Sequence, residues 1–426
     1  MLQRVTAFVL VLVLAVTGLW ASPARAEEDE ADGYVPEQVV VKLTSTAYVA
    51  KVARDYQLLP ISQFGKRPIY LMRILDGATP PERAEQLVND RKGRVQYAEP
   101  NYIGQAPERR QRSSWSRGDA AEYVEQWAPQ KIRLAEAHQR ATGSQTTVAV
   151  LDTGVDLNHP DLSGRITVGK DFVDMDNDPS EGGAAGESLA YGHGTHVAGL
   201  IALAAPDAKI MPVRVLDPDG VGNIWVLAEA LRYAANPDGN TSTLDGADVI
   251  NMSLSTKRRT NLLSEIVALA TCEGEEDGDN EEEGGENEEE GEEDCLAGVS
   301  GGAVVVAAAG NSGSSTPEYP AAEGVSGLLS VAATTRDDVL PGFSNYGTWV
   351  NVAAPGASIT SAVPGGGYAT WSGTSMAAPL TAGTAALVKS SDQSLTAVEV
   401  TGRVLSTATN IGGLEPLRID AANAVR

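Results

Sequence analysis

Ser375, His193 and Asp152 are the residue types that acyl transfer by a hydroxyl nucleophile requires, and each stands in a setting that suits its part. Ser375 lies in SGTSMAAPLTAGTAALV, between small residues and ahead of an apolar run at helical spacing. That spacing predicts a buried helix with Ser375 at its amino end, where the first N–H groups have no acceptor inside the helix. A hydroxyl beside an outward-facing amide fits acyl transfer, because the charge that develops on the attacked carbonyl oxygen must be met by a hydrogen bond. A base must come from His138, His159, His193 or His196. His193, flanked by glycines in YGHGTHVAGLIA, begins an apolar helix with room around its ring. An imidazole that accepts a proton needs a buried carboxylate to orient it and stabilise the cation, and Asp152 closes the apolar run TTVAVLD. Taken one at a time, the aspartate serves equally as a turn residue and the histidine as a structural group.

The elements that must position these groups read as alternating strands and helices. TTVAVLD, KIMPVRVL, DVINMSL, GAVVVAAAGN and LLSVAAT are short continuous apolar runs, separated by helical segments such as WVLAEALRYAA and NLLSEIVALA. Strands buried on both faces have this texture, which predicts an α/β fold with a doubly wound, mostly parallel sheet flanked by helices. Asp152, Asn251 and Asn311 then fall at carboxyl ends of strands, where sites form in such sheets. Ahead of this domain, residues 34–105 predict a small α+β unit. Its strands are EQVVVKL, PIYLMRIL and RVQYAEPNYI, and its helices are TAYVAKVARDYQLL (46–59) and PPERAEQLVND. Residues 106–121 are polar, basic and without periodicity, the composition of a linker open to proteolysis.

Composition narrows the function classes. The formal charge of −25 arises largely from residues 273–294, which hold fifteen acids and no base. This balance excludes nucleic acid as an expected partner. The block has no apolar residue to bury and follows a predicted helix and precedes a predicted strand, which puts it on the side of the sheet away from the carboxyl ends. Residues 1–26 have Arg4, an apolar run and Ala24-Arg25-Ala26, the layout of a secretory signal peptide cut after Ala26; an uncleaved anchor is the other reading. The expected product is exported and free of the membrane once the leader is gone. Cys272 and Cys295 bracket the acidic block, and in an exported chain they read as a disulfide, with two free thiols as the alternative.

VAVLDTGVD with HPDL, GHGTHVAG, DVINMSL, AAAGN and SGTSMAAP together resemble the signature segments of the subtilisin-like serine proteases, over about Gln126 to Val425. The resemblance implies Asp152 as the orienting acid, His193 as the general base and Ser375 as the nucleophile. Asn311 would join the Ser375 N–H as oxyanion donor. An extended polypeptide substrate would lie between Gly220-Val221-Gly222 and Ser253-Leu254-Ser255, with Ala308-Ala309-Gly310 walling its main pocket. Residues 27–105 resemble the family's inhibitory propeptide, so the chain's own N-terminal unit is an expected partner of the catalytic domain at 122–426. Ser255-Thr256 departs from the Gly-Gly of many relatives. These pocket segments bring no carboxylate, which predicts apolar or aromatic residues before the cut bond. DFVDMDNDPS, with Asp171, Asp174, Asp176 and Asp178, is similar to segments that bind calcium in thermitase-like relatives, a solvated acidic turn being the alternative. The chemistry itself requires no cofactor. Two rivals are a catalytically idle binding protein on the same fold and a lipase-type esterase. The second lacks here the closing glycine of its G-x-S-x-G motif.

Overall fold

A computed structural model describes residues 33–107, 116–240, 243–272, 295–296, 298–411 and 416–426. The leader at 1–26, most of the linker and the acidic block at 273–294 lie outside the described residues. The N-terminal unit runs β1 (Tyr34–Leu43), α1 (Val49–Asp55), β2 (Leu58–Gln63), β3 (Ile69–Ile74), α2 (Pro80–Val88) and β4 (Val95–Gln105). Its antiparallel strands stand in the order β2-β3-β1-β4. The helix expected over 46–59 ends at Asp55, and β2 is a strand that periodicity does not reveal. It is an edge strand, exposed after Leu58 and carrying Pro60, so it has no apolar alternation to read. α2 starts where Thr79 and Glu82 form a reciprocal capping box around Pro80 and Pro81. Val39, Val41 and Leu43 on one face of β1 pack with Met72, Val52 and Leu87 into a small core.

After β5 (Ser116–Gly118) and the short helices α3 (Ala120–Glu125), α4 (Trp127–Lys131) and α5 (Leu134–Ala137), the chain enters its main sheet. β6 (Thr147–Asp152), β7 (Lys170–Asp171), β8 (Lys209–Arg214), β10 (Val249–Met252), β11 (Val304–Ala308), β12 (Leu328–Thr334) and β13 (Val352–Pro355) are all parallel. Their order is β13-β12-β11-β10-β6-β8-β7. Alternate residues feed opposite layers. Val148 and Val150 of β6 join the core under α6 (His193–Ala204) and α9 (Thr374–Ser391), while Ala149 and Leu151 join that under α7 (Ile224–Ala235) and α8 (Asn261–Thr271). Burial on both faces is the reason these strands are written almost wholly in Val, Ala, Ile and Leu.

β6 pairs with β8 on one side and β10 on the other, so the direction of winding reverses between β6 and β10. The crevice above that reversal is where a doubly wound sheet holds ligands. β9 (Val221–Asn223) precedes α7 at its rim. A hairpin of β14 (Ile359–Val363) and β15 (Gly367–Trp371), to which β5 adds, covers α6, while α10 (Ala397–Ser406) and α11 (Ala421–Ala424) close the far end. This three-stranded sheet has no counterpart in the sequence reading. Cys272 and Cys295, which flank the acidic block in sequence, are disulfide-bonded with Cα atoms 4.7 Å apart between α8 and β11. Among the described residues no helix is long and apolar enough to cross a membrane.

The N-terminal unit turns its second sheet face onto α7 and α8. Val40, Phe64, Ile69 and Leu71 share a core with Trp225, whose ring meets Phe64 edge-on at 6.0 Å. Its polar contacts are aimed at helix starts. The Glu99 carboxylate accepts from Asn261 N (2.8 Å) and Leu262 N (3.0 Å) at the start of α8, and Asn101 Oδ1 accepts from Trp225 N (3.1 Å) at the start of α7. A carboxylate at a helix amino end meets both the bare amides and the positive end of the dipole. Lys42 adds an ion pair with Glu265 at 2.8 Å. Glu99→Ala should therefore weaken docking of the unit by about 1–2 kcal/mol, read as faster amide exchange through β4. Unchanged protection of β4 would mean that α8 is capped by another group.

Candidate active site

Asp152 ends β6 and His193 begins α6, and the two meet above the crevice. His193 Nδ1 lies 2.7 Å from Asp152 Oδ1, with both side chains buried. Oδ1 also accepts the N–H of Thr153 at 2.7 Å, which fixes the carboxylate's direction. With Nδ1–H given to Asp152, Nε2 is left as the acceptor, the tautomer a general base requires. Trp371 stacks on His196 at 4.5 Å and on His193 at 6.4 Å, forming one wall. His196 hydrogen-bonds the carbonyl of Ala369, and burial pushes its pKa down to about 3, so it stays neutral and structural. His159 and His138 are bound to the carbonyls of Gly367 and Ala204. Of the four histidines, His193 is thus the one hydrogen-bonded to a carboxylate.

Ser375 occupies the first turn of α9 and is buried, as the small residues around it predict. Its Oγ points toward Ser253 O at 3.4 Å, and its own carbonyl accepts from Ser253 Oγ at 3.2 Å. Ser253 is steadied in turn by Asn251 Nδ2 at 3.0 Å, which gives that strand-end asparagine a structural part. Asn311 follows β11 and is oriented by Thr374, whose N–H and Oγ both donate to Asn311 Oδ1 at 2.9 and 3.0 Å. Since a backbone N–H can only donate, the acceptor side of this amide is settled. Asn311 lines a cavity shared with Ser255, Thr256, Ser312 and Glu318.

The two expected substrate segments face each other across an occupied groove. β4 pairs antiparallel with β9, Ile103 opposite Asn223, Gly104 opposite Gly222 and Gln105 opposite Val221. Ala106 N extends the β9 edge by donating to Gly220 O at 2.9 Å, and on the other edge Gln105 and Ser255 exchange both backbone hydrogen bonds at 2.9 Å. The end of the N-terminal unit therefore fills the groove as a strand between Gly220–Gly222 and Ser253–Ser255. Ala308 and Ala309 are buried at the end of β11, and Gly310, with φ +100°, lies against the Glu318 carboxylate. The two pocket segments themselves bring no carboxylate, but Glu318, seven residues beyond Asn311, lines the adjoining cavity with Ser255 and Asn311.

The four aspartates of DFVDMDNDPS are not gathered around a common centre. Arg214 Nη1 binds Asp171 at 2.6 Å and Asp174 at 2.5 Å, while Asp176 and Asp178 accept from backbone N–H groups within the loop. Among the described residues no group of three or more His, Cys, Asp or Glu is set to hold a metal ion. The segment as folded does not fit a calcium cage, because a guanidinium already supplies the positive charge; Asp161, on the neighbouring turn, is engaged with the Tyr368 hydroxyl at 2.6 Å.

Comparison with known proteins decides the family. Residues 143–421 match the subtilase family, and residues 21–101 match the fervidolysin N-terminal prodomain. The chain belongs to the subtilase family. It is 38% identical over 346 residues to the thermophilic serine proteinase of Bacillus sp. (strain AK1), covering 78% of this chain and 73% of that one. It is also 38% identical over 298 residues to thermitase of Thermoactinomyces vulgaris, covering 68% and 90%. In fold it is similar to fervidolysin from Fervidobacterium pennivorans, with a TM-score of 0.69 at 22% identity over 92% of this chain and 61% of that one. This subtilase is a serine protease with an N-terminal prodomain, as the motifs imply.

Glu181 is a carboxyl that motif reading passed over. Its Oε1 accepts from Thr153 Oγ, and its Oε2 from Thr195 Oγ (2.7 Å) and Thr195 N (3.1 Å) in the first turn of α6. It thereby ties the residues that follow Asp152 and His193 to each other. Burial pushes its pKa from 4.5 up to about 7, with the nearby Asp152 charge adding to the rise. A carboxyl raised on folding contributes stability that is complete below its unfolded pKa and is lost as pH rises through the folded one. The melting temperature should accordingly fall between about pH 5 and about pH 8 more steeply in the native protease than in Glu181→Gln. Equal slopes would show that Glu181 is ionised throughout that range.

Proposed function

We propose that this subtilase is an exported endopeptidase made as a zymogen, with a leader removed after Ala26 and a prodomain, residues 27–105, that blocks the cleft until it is cut within 106–121. The observation that carries the reading is the strand Ile103–Gln105, hydrogen-bonded on both edges in the groove where a polypeptide substrate would lie. Main-chain pairing of this kind accepts many sequences, which suits both a broad endopeptidase and an inhibitor built from the same chain.

In this mechanism Ser375 Oγ attacks the scissile carbonyl while its proton passes to His193 Nε2. Asp152, at 2.7 Å from Nδ1, stabilises the imidazolium. The carbonyl oxygen becomes an oxyanion and receives hydrogen bonds from Asn311 Nδ2 and the Ser375 N–H. His193 then gives its proton to the departing amine, leaving an acyl ester on Ser375. Water attacks that ester by the same route, with His193 again as base, and restores Ser375. The leader is supported by the layout of residues 1–26, and autocatalytic release by the short tether that joins the bound strand to the catalytic domain.

Ser375→Ala should yield a folded precursor whose prodomain is never released when expressed in a protease-free host. Normal maturation of that variant would refute the assignment of the nucleophile. Asn311→Ala should fold and bind substrate while kcat falls by roughly 10²–10³, the known cost of losing the corresponding donor in subtilisin. An undiminished kcat in active-site-titrated enzyme would mean that another group meets the oxyanion.

A further inference from the structure

We propose that Glu318 selects arginine or lysine as the residue before the cut bond. The inference rests on the endopeptidase reading above and deepens it by naming a substrate class. Beyond Ala106, the bound strand continues to Pro107, which lines a cavity of about 160 Å³ together with Ser255, Thr256, Asn311, Ser312 and Glu318. Because Asn311 is the side-chain donor assigned to the oxyanion, this cavity opens beside the carbonyl under attack. A side chain that enters it therefore belongs to the residue on the acyl side of the bond.

Glu318 is 6% exposed, and its carboxylate is held from three sides by neutral donors. Ser255 Oγ donates at 2.6 Å, Ser312 Oγ at 3.1 Å and Asn345 Nδ2 at 3.0 Å. Neutral donors fix the carboxylate in place without cancelling its charge, and a buried charge without a cation is incompletely compensated. Lys257 also lines the cavity but is exposed, and no ion pair joins it to Glu318. The carboxylate sits directly over Gly310, where an added Cβ would come within 2.4 Å of Oε2. Ser255, which departs from the glycine of many relatives, supplies the shortest of the three hydrogen bonds. The two features belong together: a serine in the pocket wall holds an acid at its base. A guanidinium or ammonium group reaching down the cavity would form a charge-assisted pair with a largely buried carboxylate, and such pairs discriminate against neutral isosteres.

The test uses mature enzyme titrated with a fluorophosphonate, which labels Ser375 whatever the pocket prefers, and matched peptide anilides that differ only before the cut bond: Arg, Lys, Met, Phe and Glu. We expect kcat/KM for Lys to exceed that for its near-isostere Met by at least about tenfold, with Arg equal or better, and Glu318→Gln to bring the Lys-to-Met ratio within about threefold of one. A native Lys-to-Met ratio at or below one overturns the proposal without need of the variant, and so does a ratio that survives Glu318→Gln. In either case, labelling of Ser375 with turnover of the Phe substrate leaves the endopeptidase reading standing. Absence of both labelling and turnover would instead remove that reading and the proposal with it.

Discussion

The close packing of α6 against α9 is the constraint on which the rest of the arrangement depends. One helix brings His193 at its first residue and the other brings Ser375 in its first turn, so both amino ends must reach the same edge of the sheet. They can do so only because the contact is written in small residues: a Cβ on Gly383 would lie 2.4 Å from the Cβ of Ala204, and one on Gly199 would meet Ser361 and Ala362 of β14. Interiors are packed to crystal-like density, so a larger side chain there would move the helix starts apart rather than be absorbed. The apolar, small-residue texture of both helices is thus a positioning device as well as a core.

The second organising relation is between the prodomain and the helix starts of the other layer. Glu99 and Asn101 reach the bare amides of α8 and α7, while the chain between and after them becomes the strand that fills the groove. Capping and groove filling are therefore one register. A slip of one residue along β4 would turn both caps away and reverse which side chains face the pockets. This couples the fit of the blocking strand to the stability of the docked unit.

Charge is distributed unevenly around the site. Asp152 and Glu181 are buried behind His193, joined through Thr153, and Glu318 is buried in the neighbouring pocket. Each carboxyl is held by hydroxyls, amides or, for Asp152, the His193 ring rather than by a lysine or arginine. Asp171 and Asp174 show the opposite solution, with Arg214 between them. The contrast separates carboxyls held by neutral groups around the cleft from carboxyls that pin a loop.

Much was legible in the sequence because it depends on local pattern. Continuous Val and Ala runs imply strands buried on both faces, glycine-flanked His193 and small-residue Ser375 imply helix starts, and the order of motifs implies the family. The disulfide followed from a chain with two cysteines and the layout of a leader at its start. What tertiary structure alone decided involves residues distant in sequence. β2 has no alternation because it is an exposed edge, and its strand state comes from pairing with β3. Glu318 lies in a turn after AAAGN and becomes a pocket residue only because Thr256 and Tyr319 exchange backbone hydrogen bonds across the cavity. Arg214 ends β8, 40 residues beyond Asp174, and meets the aspartates because Phe172 pairs with its carbonyl beside β7. Periodicity and motif spacing record which face a residue presents; they carry no term for what lies across from it, and that partner sets whether a carboxylate caps a helix, lines a cavity or is neutralised.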